Sequence, residues 1–223
     1  MVYSEYYKLL IFKEITMKKT LLISYTPRSE SNTAKLVQTF IQTIDGQSKI
    51  VHLDLTKEPA PLLLEKNLNA LLKRNYGDMQ LTESENDAVY SADQLLQQLL
   101  EADRIVIAFP MYNFSLPAAV KAWIDIVNQN GKTFKITEED EYEGLYRGKQ
   151  ALILMTSGGD YSQEPAQSMN HATPLIQSCM SFMGIESHKI TAYGLNQYMD
   201  RANDIVAEAQ RQIVTFLKTN ESW

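Results

Sequence analysis

The chain has 223 residues, of which 21 are Lys or Arg and 27 are Asp or Glu, giving a formal net charge of −6. A mildly acidic chain of this kind has no electrostatic basis for wrapping nucleic acid or an anionic membrane. The single cysteine, Cys179, excludes an intrachain disulfide and a cysteine-based zinc site, and the length with 44% hydrophobic content predicts one soluble, cytoplasmic α/β domain.

Residues 1–16 stand apart. Their longest apolar run, Leu9-Leu10-Ile11-Phe12, is bracketed by Lys8, Lys13 and Glu14, which suits neither a signal peptide nor a membrane span. Met17 immediately precedes the first strong strand, so 1–16 reads as an extension and 17–223 as the domain.

Leu21-Leu22-Ile23-Ser24-Tyr25 predicts a buried parallel strand that ends before Pro27. Ala34, Val37, Phe40, Ile41 and Ile44 recur at helical spacing, and the helix closes near Gly46. Lys49 to Leu55 alternates as a second strand, and two helical stretches follow, Leu62 to Tyr76 and Ser84 to Ala102. Arg104 to Phe109 is a third strand. Pro117 stands where the first residue of a helix belongs, ahead of Val120, Trp123, Ile124 and Val127. Thr133 to Thr137 predicts a small hairpin arm with Phe134 and Ile136 exposed on a lone subunit. Gln150 to Met155 is a fourth strand, Ala166 to Met183 a helix, and Lys189 to Tyr193 a fifth strand. A last helix carries Ala202, Ile205, Val206, Ala209, Ile213 and Phe216.

Strands that alternate with helices pair in parallel, because a crossover needs a helix to return the chain. The rhythm predicts a three-layer sandwich with a five-stranded parallel sheet of flavodoxin-like order 2-1-3-4-5. In such a sheet a ligand lies beyond the carboxyl ends of the strands, so the loops after strands 1, 3 and 4 should share one site.

The first loop, Thr26-Pro27-Arg28-Ser29-Glu30-Ser31-Asn32-Thr33, sets hydroxyls, an amide and a guanidinium at a helix start, which suits a phosphate monoester. The same residues also serve as simple helix caps. The second, Pro110 to Pro117, places Met111, Tyr112, Asn113 and Phe114 as a stiff ledge able to pack on a flat heterocycle, or else as a hydrophobic corner. The third, Thr156-Ser157-Gly158-Gly159-Asp160-Tyr161, allows bare backbone to approach a ligand, or makes a tight turn. His52, His171 and His188 are dispersed without ligand spacing, and no metal site is expected.

The run Pro110-Met111-Tyr112-Asn113-Phe114 with Leu116-Pro117 resembles the FMN-binding loop of FMN-dependent NADH-azoreductases. Gly131-Lys132-Thr133-Phe134, Glu143-Gly144-Leu145, Gly148-Lys149 and the strand entering Thr156-Ser157-Gly158-Gly159 are similar as well. The resemblance implies a homodimer with one noncovalent FMN per subunit. In that family NADH reduces the flavin and leaves, and a quinone or azo compound then takes the electrons in a ping-pong cycle. By position, Thr26, Arg28, Ser29, Ser31 and Asn32 would serve the phosphate, and Met111, Tyr112, Asn113 and Phe114 would line the flavin. Thr156, Ser157, Gly158 and Gly159 would meet its polar edge. The family's common Arg between the Ser and the paired Gly is absent here, and Tyr161 stands where many relatives place a His, which makes it the candidate proton donor. The competing expectation is a flavodoxin-like electron carrier with no nicotinamide site.

Overall fold

The structure is a computed structural model that describes residues 17–220 and Trp223. The extension expected at 1–16 lies outside the described residues.

The strands of the main sheet are β1 (Lys18–Ser24), β2 (Ser48–Asp54), β3 (Arg104–Pro110), β6 (Gln150–Thr156) and β7 (Glu186–Ala192). All pair in parallel in the order β2-β1-β3-β6-β7, as the alternation of elements predicts. The three central strands are buried on both faces, and their side chains divide by parity. Leu21 and Ile23, Ile105, Ile107 and Phe109, and Ile153 and Met155 enter one apolar layer; Leu22, Val106, Ala108, Leu152 and Leu154 enter the other.

Helices α1 (Asn32–Ile44) and α6 (Ala202–Thr219) cover the second layer with Leu36, Phe40, Val206 and Ile213. Helices α3 (Glu83–Glu101), α4 (Ala118–Val127) and α5 (Ala172–Phe182) cover the first with Leu96, Leu99, Trp123 and Ile176. Helix α2 (Glu65–Asn75) lies outside these layers and packs Ala70 and Leu71 on Val89 of α3. Thr82 and Glu85 cap α3 reciprocally. The Lys73 ammonium, at 2.7 Å, and then the Thr82 N–H hold the Glu85 carboxyl down at about 2.

Several boundaries differ from expectation for identifiable reasons. Pro117 sits one residue before α4. The helix expected over 166–183 is interrupted, because the Asn170 amide oxygen accepts from the N–H groups of Ala172 and Thr173 and starts α5 afresh. Strand β7 begins at Glu186 because it runs in register with β6 from Gln150 onward. The hairpin arm forms as β4 (Phe134–Ile136) against β5 (Tyr142–Gly144), and Ile136 is exposed. Phe134, expected to be exposed, is buried instead: its ring lies 4.7 Å from that of Phe182 at the end of α5.

Candidate functional site

The carboxyl ends of β1, β3 and β6 open on one rim, and α1 starts there. Ser31 is its N-cap, with Oγ accepting from the Ala34 N–H at 3.1 Å. The hydroxyl proton of Ser31 therefore remains free to point outward, next to the orphan N–H groups of the first helical turn. Asn32 Oδ1 accepts from Lys35 Nζ at 2.9 Å, which turns its amide nitrogen toward other partners. One step deeper, the buried hydroxyls of Thr33 and Thr156 bond at 2.7 Å and tie the start of α1 to the end of β6.

The loop after β3 makes a tight two-residue turn. Tyr112 and Ser115 exchange both backbone hydrogen bonds at 3.0 Å, with Asn113 at φ 47° and Phe114 at φ 69°. Positive φ at both central residues is the type I′ geometry, which costs a phenylalanine about 1–2 kcal/mol relative to ordinary backbone. The surroundings impose it: Phe114 C=O accepts from the His171 N–H at 2.9 Å, and the Phe114 ring meets Tyr161 edge-on at 6.2 Å. The N–H groups of Asn113 and Phe114 have no partner among the described residues. Tyr112 stands edge-on to Tyr25 at 6.0 Å. Burial and then Tyr25 push the Tyr112 phenol above its ordinary value, with Arg28 opposing them.

The loop after β6 is fastened carbonyl by carbonyl. Ser157 C=O accepts from Leu195 N–H, Gly158 C=O from Asn196 and Gln197, and Gly159 C=O from Gly194 and the Ser157 hydroxyl, at 2.7–3.0 Å. In a trans peptide each N–H points opposite to the preceding C=O. The Gly158 and Gly159 N–H groups are thus turned away from the 194–197 loop, and neither has a partner among the described residues. Asp160 folds back on Ser162, whose hydrogen bonds hold its carboxyl below the usual range.

These three loops enclose a cleft of about 380 Å³. Of the expected residues, Arg28, Ser31 and Asn32 line it from the first loop, and Met111, Tyr112 and Asn113 from the second. Thr156, Ser157 and Gly158 line it from the third. Thr26, Ser29, Phe114, Gly159 and Tyr161 are not in its wall. Ser29 is exposed in the turn before the cap. The Tyr161 ring lies over Gly159, between Phe114 and Tyr193. Thr33, named in the first loop but given no role of its own, lines the wall as well, and two wall residues escaped the sequence reading: Leu195 and Asn196. The last two follow β7, whose carboxyl end opens on the same rim, so the strand order itself was the missed signal.

A larger depression of about 580 Å³ lies between β7 and α6, lined by His188, Phe216 and the Glu208–Arg211 pair. It opens on the outer flank of the edge strand and receives none of the three loops. Among the described residues no helix is long and apolar enough to cross a membrane.

Residues 18–217 match the family model described as flavodoxin-like fold. The FMN-dependent NADH:quinone oxidoreductase 2 of Bacillus cereus (strain ATCC 10987 / NRS 248) is 35% identical over 203 residues, 88% of this chain and 97% of the relative. The FMN-dependent NADH:quinone oxidoreductase of Vibrio parahaemolyticus serotype O3:K6 is 35% identical over 202 residues, 90% and 97% of the two chains. The crystal structure of azoreductase from Bacillus anthracis str. Sterne superposes with a TM-score of 0.82 at 33% identity, covering 89% of this chain and 98% of that one.

Proposed function

Because the chain belongs to the flavodoxin-like fold family, together with its FMN-dependent NADH:quinone oxidoreductases, we propose that the rim cleft holds FMN. The chain is an enzyme, an FMN-dependent NADH:quinone oxidoreductase similar in structure to azoreductases. Quinones and azo compounds are its classes of acceptor. The observation that carries the placement is the pairing of two donor groups in one cleft. A capped helix start with Arg28 stands at one side, and the unpartnered N–H of Gly158 stands at another.

The residues present fit the group. Arg28, the Ser31 hydroxyl and the first-turn N–H groups of α1 suit a phosphate dianion. Met111, Tyr112 and Asn113, with the unpartnered N–H of Asn113, offer a wall suited to a flat ring system. Bound FMN supplies the hydride-accepting and hydride-donating ring, and the protein supplies position and electrostatics. Tyr161 stands beside Gly159, where its phenolic O–H can donate a hydrogen bond. It is the residue we assign to proton delivery to the acceptor. The lone Cys179 suits the reducing cytoplasm, where we place the enzyme.

Anaerobic addition of NADH to the FMN-loaded protein should bleach the flavin absorbance, and initial-rate plots at several quinone concentrations should be parallel. Tyr161→Phe should slow the acceptor half-reaction in stopped flow and leave the NADH half-reaction unchanged. Intersecting lines would require both substrates to be bound together and would break the shared-site reading. No bleaching at all would favour a carrier without a nicotinamide site.

A homodimer is part of the same reading, and the exposed face of α2 supports it. Leu64, Leu68, Leu72 and Tyr76, running from the N-cap to the C-cap of the helix, follow one another at four-residue spacing and are all exposed, whereas Ala70 and Leu71 are buried. The stripe is self-complementary under a two-fold axis, which would set Leu68 against Leu72 and Leu64 against Tyr76 of a second copy. Light scattering should give twice the 25.4 kDa chain mass for the native protein and the single mass for Leu68→Glu/Leu72→Glu. A double variant that remains dimeric would move the interface elsewhere.

A further inference from the structure

The placement of Asn196 deepens the FMN reading and rests on it. Asn196 follows β7 and lines the cleft beside Ser157 and Gly158. Its backbone N–H is committed to Gly158 C=O at 2.9 Å, which fixes where the side chain starts. A Cβ built on Gly158 would lie 2.6 Å from Asn196 Nδ2 and 3.1 Å from its Cγ. The Asn196 amide thus occupies the space that a side chain at 158 would need, and a Cβ there would make that amide move. That amide has no hydrogen-bond partner among the described residues, and it is exposed on the cleft side.

A carboxamide carries a donor and an acceptor side by side, unlike a guanidinium or an ammonium, which only donate. Beside it, the N–H of Gly158 adds a further donor, directed away from the 194–197 loop. Such a set suits a heterocycle edge on which carbonyl oxygens flank a ring N–H. From this geometry we infer that Asn196 is a cofactor-binding residue, its amide pairing with the imide edge of the flavin ring. Ring-edge recognition here then uses neutral donors from two separate loops, those after β6 and β7. The alternative role for Asn196 is to close the loop over Gly158 with no ligand contact.

Titration of apo-protein with FMN and with riboflavin, which lacks the phosphate, separates these roles. Asn196→Leu keeps the size of the side chain and removes its polar atoms. It should weaken both ligands by the same factor, about 5- to 100-fold, because a ring edge left unpaired costs equally with or without the phosphate. Asn196→Asp presents only acceptors and a negative charge. It should lower the two-electron midpoint potential of bound FMN, about 30 mV for each tenfold loss in relative affinity for the reduced form. Urea unfolding of both variants checks that the fold is intact. Unchanged affinities and an unchanged potential in both variants would overturn the inference and leave Asn196 a loop-closing residue. Failure of the native protein itself to bind FMN would instead overturn the functional reading on which the inference rests.

Discussion

Replacing Arg28 and Ser31 together with alanine is expected to weaken FMN binding by at least about a hundredfold while riboflavin binding changes little. Both residues line the cleft where α1 begins. A charge-assisted hydrogen bond to phosphate contributes about 1.5–3 kcal/mol, so two of them amount to roughly 10²- to 10⁴-fold. Ser31 has a second duty, since its Oγ caps α1 through the Ala34 N–H, and loss of the cap costs about 1 kcal/mol in stability. Ser31→Asp separates the two duties. A carboxylate caps a helix as well as a hydroxyl does, and it repels phosphate. This variant should keep the unfolding midpoint while losing FMN. Ser29→Ala, in the exposed turn outside the cleft wall, should do neither. Equal FMN affinity in the native protein and the Arg28/Ser31 variant would mean that the phosphate sits elsewhere.

That contrast between Ser29 and Ser31 marks where the sequence stops being informative. A run of hydroxyls before a helix announces an anion-suited helix start, but only the backbone decides which hydroxyl becomes the cap. The central strands were legible because burial on both faces requires unbroken apolar runs such as Leu21-Leu22-Ile23 and Ile105 to Phe109. The start of edge strand β7 was not, because several of its residues face solvent and its start is set by the register with β6. The turn at Asn113 and Phe114 was also hidden. Phenylalanine disfavours positive φ, and the geometry is held by a hydrogen bond from His171, far along the sequence. Strain of this kind at a ligand-suited loop is held in place by its surroundings rather than by local preference. Asn196 was missed for a related reason. No residue type marks it, although the expected strand order already brings the loop after the last strand to the rim.

The arm gives the other large effect, and it begins from a corrected expectation. Phe134 was expected to await a second subunit, whereas it is buried against Phe182 of the same chain, with Tyr142 5.9 Å away. The close approach that permits this lies at Gly144, on β5. A Cβ built there would sit 2.2 Å from the Gly184 nitrogen and 2.4 Å from the Met183 carbonyl carbon, both backbone atoms. Side-chain rotation cannot relieve such a clash, so the arm or the turn after α5 must move. Moving the arm breaks the Tyr146 N–H to Met183 C=O bond at 2.9 Å and uncovers Phe134. Overpacking costs about 1–3 kcal/mol where side chains can give, and uncovering a phenylalanine about 1.5–3 kcal/mol. Gly144→Ala should accordingly lose at least about 3 kcal/mol in urea unfolding. No residue of the arm lines the cleft, and the rim loops are bonded among themselves, so the FMN affinity of the protein that remains folded should be close to native. A loss below about 1 kcal/mol would show that the arm swings aside freely and that burial of Phe134 contributes little. Loss of FMN affinity in the folded fraction would couple the arm to the cleft, which the hydrogen bonding around Ser157, Gly158 and Gly159 does not call for.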